Sequence, residues 1–254
     1  MPEVGLAQLV PLTAVALLAG VVDAIAGGGG LLTLPALLWT GLPPHLALGT
    51  NKGQSVFGSF AALVRFSRAG MVDGRRARVT FPLGLAGSLA GAGLVLLVPP
   101  ATLRPVVLAL LAFAALFVGL RRGPPARPDG ARREATPLVA GGIALAIGAY
   151  DGFFGPGTGT FLIVAFVALL GDGLARASAG AKVVNFASNL AAVALFSVKG
   201  VVVWRIAVPM AAAQLAGGWI GAHLAVRRGD ALVRRTAVLV TLALAVKLAW
   251  DMRS

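Results

Sequence analysis

At 254 residues, 58% hydrophobic and 12% charged, with a mean hydropathy of +0.89, the chain has too few charges to coat a soluble globule of its size. It reads as an integral membrane protein, and its net charge of +13 as basic loops flanking the spans rather than a surface for nucleic acid. The absence of cysteine and the isolation of its two histidines, His45 and His223, exclude disulfides, thiolate nucleophiles and a histidine metal cage, so no cofactor is expected.

In chain order, the apolar pattern predicts helices near 6–26, 30–40, 45–66, 77–98 and 101–120. The first lacks a basic leader and contains Asp23, so it reads as a retained span and not a signal peptide. The second is short: about a dozen residues at 1.5 Å each cover about 18 Å of a hydrocarbon core about 30 Å thick. It reads as a short tilted span or a re-entrant arm. His45, beside Pro43-Pro44, reads as a loop residue, and residues 121–136 as a polar, Pro/Gly-rich linker. A second set of helices follows near 137–153, 158–170, 175–196, 205–226 and 230–251. Trp39, Trp204 and Trp250 fall near span ends and read as interfacial anchors.

The second set copies the first. Asp23-Ala-Ile-Ala-Gly-Gly-Gly-Gly recurs 128 residues later as Asp151-Gly-Phe-Phe-Gly-Pro-Gly-Thr, and at a spacing of 130 Lys52 falls on Lys182, Gly70 on Gly200 and Arg75 on Arg205. The expected architecture is all-α, a polytopic transmembrane bundle of about 8–10 hydrophobic segments with glycine-broken helices. Residues 1–254 form one domain: repeat 1 over 1–120, a cytoplasmic linker over 121–136 and repeat 2 over 137–254. Arg65, Arg68, Arg75, Arg76 and Arg78 make one basic loop, the linker a second, and Arg227, Arg228, Arg234 and Arg235 a third. Placing all three in the cytoplasm needs an odd number of crossings per half, which makes the repeats inverted. Four crossings per half would make them parallel and put 227–235 outside; five is the preferred count.

Glycine clusters interrupt each half at Gly27, Gly28, Gly29 and Gly30, and at Gly155, Pro156, Gly157, Thr158 and Gly159. Unwound backbone at membrane depth is tolerated where it lines a cavity, and the restarted helix offers free N–H groups and a positive dipole end to an anion. The glycines near 84–93 and 217–221 read instead as close-packing positions between helices. Only four of the 22 basic residues are lysine, yet the two repeat-matched bases within apolar helices are both lysine, Lys52 and Lys182. An unpaired ammonium there costs a few kcal/mol. Three readings stand open: a bound anion compensates that cost, the lysines pair internally with Asp23 and Asp151, or they snorkel to the surface. Thr50, Asn51, Gln54 and Ser55 in one half, and Asn185, Ser188 and Asn189 in the other, are suited to hydrogen-bonding an oxyanion. Asp23 and Asp151, just before the breaks, are candidates either to cap the restarted helix or to hold a coupling proton. His223 has Gly93 as its repeat-mate and no support from symmetry.

Two stretches in the first half, Gly-Gly-Gly-Gly-Leu-Leu-Thr-Leu-Pro and Gly-Leu-Pro-Pro-His-Leu-Ala-Leu-Gly-Thr-Asn-Lys, are joined by two in the second. These are Gly-Phe-Phe-Gly-Pro-Gly-Thr-Gly-Thr-Phe and Ala-Gly-Ala-Lys-Val-Val-Asn-Phe-Ala-Ser-Asn. In this order, over essentially the whole chain, they resemble the sulfite exporter TauE/SafE family of permeases. The resemblance implies a multi-pass protein of the bacterial cytoplasmic membrane that moves small anions, with sulfite and organosulfonates as associated substrates. The residues themselves suggest alternating access around a midplane site in contact with lipid, with protons as candidate coupling ion and a homo-oligomer as a candidate assembly. A membrane-embedded enzyme and a non-transporting membrane subunit are the rival readings. The first lacks any HExxH, GxSxG or clustered carboxylates, and the second has no use for two symmetric intramembrane lysines.

Overall fold

A computed structural model describes residues 5–120 and 137–251, with the side chains of 6, 119–120 and 240–251 excepted. The predicted linker and the Trp250 side chain lie outside the described residues. The helices are α1 Leu6–Ala26, α2 Gly30–Trp39, α3 Pro44–Arg68, α4 Gly74–Leu97, α5 Pro100–Leu120, α6 Pro137–Phe153, α7 Thr158–Leu170, α8 Leu174–Val198 and α9 Trp204–Asp251. Gly229, at φ 58° and ψ −151°, breaks α9 where two helices were predicted. Helices α1, α4, α5 and α8 are each long and apolar enough to cross a bilayer. The protein is an all-α, polytopic membrane bundle.

Local signals explain most of the boundaries. Asp73 opens α4 by accepting from the Arg75 and Arg76 amides at 2.9 and 3.2 Å. Left-handed Gly70 and Gly200, both at φ 69°, close α3 and α8 at repeat-matched positions. One expectation needs correction: His45 is not in a loop. Pro44 serves as the first residue of α3, a position that tolerates the missing N–H, and the His45 ring meets the Val95 carbonyl of α4 at 3.1 Å.

The two halves interlock by exchange. Helix α1 packs on α9 while its repeat-mate α6 packs on α4, the mate of α9's first segment; α3 lies on α9 and α8 on α4, and α3 and α8 meet each other. The expected close-packing glycines serve these contacts. A side chain at Gly217 would overlap the Leu17 carbonyl and one at Gly221 that of Val21; the mates Gly87 and Gly91 lie equally close to Leu145 and Ala149.

Mated loops sit at opposite ends of the bundle. At one end Arg65 Nε–H donates to His223 Nδ1 at 3.2 Å, and the Arg68 guanidinium lies 5.6 Å from the Trp219 ring centre. At the same end Asp230 accepts from the Leu174 and Ala175 amides at 3.1 and 2.8 Å, tying the arginine-rich turn around Gly229 to the start of α8. At the other end, residues 201–203 lie on Gly49 and Thr50 near the start of α3. Asp230 thus caps α8 from a distance in sequence, and Asp230→Ala should cost about 1 kcal/mol, read as a lower melting temperature in detergent. An unchanged melting point would deny the cap any energetic role.

Candidate functional site

The two helix breaks cross one another at the centre. Gly27 (φ 75°) lies so close to repeat 2 that an added Cβ would sit 2.7 Å from Gly159 Cα and overlap the Thr160 amide nitrogen. Gly30 lies against Pro156. Thr160 Oγ1–H donates to the Ala26 carbonyl at 3.1 Å, and Tyr150 O–H fastens the second break to the Pro156 carbonyl at 2.7 Å. Each break therefore rests on the other repeat's backbone.

The lysines follow the same exchange. Lys52 of α3 donates to Asp151 Oδ1 of α6 at 2.6 Å, and Lys182 of α8 donates to Asp23 Oδ2 of α1 at 2.7 Å. Internal pairing, one of the compensations foreseen, is present, and it runs across the repeats. Lys52, Lys182 and Asp151 are 2%, 0% and 3% exposed. The pairs differ in closure. Asp151 also accepts from Thr158 at 3.0 Å and from Ser188, whereas Asp23 takes the Gly29 amide at 3.2 Å and keeps 26% of its side chain accessible.

Ammonium groups only donate, so their neighbours' orientations are fixed. Asn189 turns its carbonyl oxygen to Lys52 at 3.1 Å, and Asn185 turns its own to Lys182 at 3.2 Å. Asn51 Oδ1 accepts from Thr33 Oγ1 at 2.6 Å and from Gln54 Nε2 at 3.0 Å. The carboxamide NH₂ ends of Asn51 and Asn185 are thereby left as donors. Each lysine uses two of its three N–H bonds in these contacts.

These groups surround a cavity of about 30 Å³, room for one or two waters. Of the predicted site residues, Asp23, Gly28, Gly30, Asn51, Lys52, Ser55, Asp151, Gly157, Thr158, Gly159, Asn185 and Asn189 line it. Three predicted members do not line it: Thr50, Gly29 and Lys182, the last fully buried and bonded to the lining residues Asp23 and Asn185. The Thr50 hydroxyl accepts from the Val203 amide at 3.0 Å, at the turn into α9, and Gly29 points its N–H at Asp23. One lining residue, Gln214 of α9, escaped the sequence reading. Its repeat-mate is Gly84, so symmetry was silent; a buried amide in an otherwise apolar helix was the signal available.

Known proteins resemble the chain along most of its length. The sulfite exporter TauE/SafE profile matches residues 12–248. A probable membrane transporter protein, ORF9, from a Sinorhizobium species is 38% identical over 237 residues, covering 93% of this chain and 90% of that protein. One from Haemophilus influenzae is 37% identical over 252 residues, covering 98% and 97%, and the probable membrane transporter protein YfcA of Escherichia coli K12 is 38% identical over 239 residues, covering 93% and 88%. No solved structure matches the chain. With the profile spanning both repeats and both glycine breaks, the chain belongs to the sulfite exporter TauE/SafE family.

Proposed function

We propose that the protein is a secondary transporter for small oxyanions, with sulfite and organosulfonates as the first substrates to test, and that it works by alternating access between two inverted repeats in the cell membrane. The observation that supports this best is the set of donors at the central cavity: one unused N–H on Lys52, the NH₂ ends of Asn51 and Asn185, and the Gly30 and Gly159 amides, with Lys182 directly behind Asp23 and Asn185. First-turn amides have no partner within their own helix and carry the positive dipole end. The side-chain oxygens of Asp23, Asp151, Asn51, Asn185 and Asn189 are engaged, whereas Gln54 Oε1, on the amide that meets Asn51, is buried without a partner.

Charge balance then sets the coupling. Two lysines and two aspartates sum to zero, so an anion entering alone places net negative charge in a buried site, which is costly. A proton on Asp23 releases Lys182 to the anion and keeps the site neutral when it is loaded with a singly charged anion. Asp23 suits this role better than Asp151, because it is the more accessible and the less hydrogen-bonded of the two. A cavity of about 30 Å³ admits such an anion only when the repeats part, consistent with a site opened from either side.

The test is uptake into proteoliposomes with sulfite, thiosulfate, sulfoacetate, sulfate and carboxylates under an imposed pH gradient. Lys182→Ala should lower flux about 10–100-fold, the loss of one or two hydrogen bonds to a charged group. Asp23→Asn should still bind the transported anion by thermal shift while losing pH-driven accumulation. Unchanged flux in Lys182→Ala would remove the lysine from the site, and full proton coupling in Asp23→Asn would remove the aspartate from its role.

A further inference from the structure

A second cavity, of about 550 Å³, opens at the arginine-rich end of the bundle. Residues 70–80, the turn before α4 and its first turns, face Arg176, Gly180 and Val183 of α8 across it, with Asp172 at its edge. Three arginines, Arg75, Arg76 and Arg176, stand against two aspartates, Asp73 and Asp172. Arg76 forms a bidentate pair with Asp172 and lies 5.9 Å from the Phe166 ring centre, so it is fixed in the wall. Arg75 and Arg176 are exposed.

The repeat-related region at the other end is built from the same elements and is shut. Gly180 and Val183 have Thr50 and Gly53 as mates, and 70–77 have 200–207. There the Thr50 hydroxyl accepts from the Val203 amide at 3.0 Å, and a Cβ on Gly53 would lie 3.0 Å from Val202 Cγ1 and 3.2 Å from Ala207 Cβ. The chemistry differs as well. Arg76, Arg176, Asp172 and Asp73 have Ile206, Leu46, Leu42 and Val203 as mates, and of the charged positions only Arg75 keeps a charge, in Arg205. Loop arginines by themselves would be explained by cytoplasmic orientation. Orientation does not explain why they wall a cavity whose counterpart is closed by Thr50, Val202, Val203 and Ala207.

We propose that this cavity is a cytoplasmic vestibule that gathers small oxyanions before they reach the central site, with Arg75 and Arg176 as its attracting charges. The proposal rests on the orientation and cargo inferred above and adds a preferred loading side: the arginines raise anion concentration inside an open cavity at the inner mouth, whereas Lys199 and Arg205 at the outer end stand beside a closed one. Fixed positive charge in a concave wall raises local anion concentration and encounter rate by tenfold or more at low ionic strength. That asymmetry favours capture inside and release outside.

The absence of native cysteine makes the test direct. In the full chain, Val72→Cys places a thiol on the cavity wall, and Ser67→Cys places an exposed one outside it in the last turn of α3. Modification rates in inside-out vesicles are measured with a sulfonate-bearing and a trimethylammonium-bearing methanethiosulfonate, each normalised to its rate with free cysteine. The anionic reagent should be favoured about tenfold at Val72→Cys in low salt, and Arg75→Gln with Arg176→Gln should remove most of that preference while barely moving the ratio at Ser67→Cys. Equal normalised rates at Val72→Cys, a preference that survives both substitutions, or a parallel fall at Ser67→Cys would overturn the vestibule. The reading needs no transported substrate, so it fails or stands separately from the lysine flux experiment, and labelling at Ser67→Cys reports that the variants remain folded.

Discussion

Lys52→Ala is expected to lower stability by about 3–5 kcal/mol, because it strands the Asp151 carboxylate in a site where that residue is 3% exposed. Most of the cost belongs to the charge left behind and not to the loss of an attraction. Removing both charges with Lys52→Met and Asp151→Asn should therefore recover most of the lost stability, since paired removal deletes the desolvation penalty with the pair. Transport should not return with it, because the donor toward the cavity is gone. Melting temperatures of the two single variants and the double, set beside their flux, complete the cycle. A double variant as unstable as the sum of the singles would mean that the 2.6 Å contact carries no coupling energy.

The second large effect is expected at Gly27. An alanine there must hold φ 75° and ψ 177°, a glycine-only region that costs an L-residue about 1–3 kcal/mol, and must also push its Cβ into the Gly159–Thr160 backbone. Overpacking of that kind adds about 1–3 kcal/mol. Gly28→Ala separates the two contributions: its φ is 87°, but its nearest neighbours would be Thr160 Oγ1 at 3.4 Å and Leu31 Cδ1 at 3.7 Å, so only the conformational cost applies. The Gly27 variant should melt well below the Gly28 variant. Equal melting points would show that the crossing of the two breaks can relax at little cost.

Much of this fold was legible because the membrane simplifies the reading. Hydrocarbon forces apolar runs, glycine and proline mark their ends, and duplication lets each half check the other; α1, α2, α6 and α7 fall within a residue of the predicted limits. Asp23, Lys52, Asp151 and Lys182 stood out as matched charges at depth, and the structure brings them together. What one dimension withheld was partnership. Composition leaves Lys52 free to pair with Asp23 of its own repeat or with Asp151, and only the three-dimensional exchange of helices selects the second. Gln214 was hidden because duplication is informative only where both copies agree. Thr50 looked like a ligand because its neighbours Asn51 and Lys52 are in the site, but three successive residues on a helix point in different directions, and its hydroxyl serves the α8–α9 turn instead.

The exchanged ion pairs have a consequence for biosynthesis. Lys52 meets a partner 99 positions further along the chain, and Asp23 waits for one 159 positions on. At a synthesis rate of 5–20 residues per second, Lys52 is made roughly 5–20 s before Asp151 exists, and Asp23 roughly 8–32 s before Lys182. During that interval the nascent first half carries an acid and a base that hydrocarbon will not accept unpaired. The first repeat must stay at the insertion machinery, or hold its charged helices near the headgroups, until the second arrives and the two halves enter their final packing together.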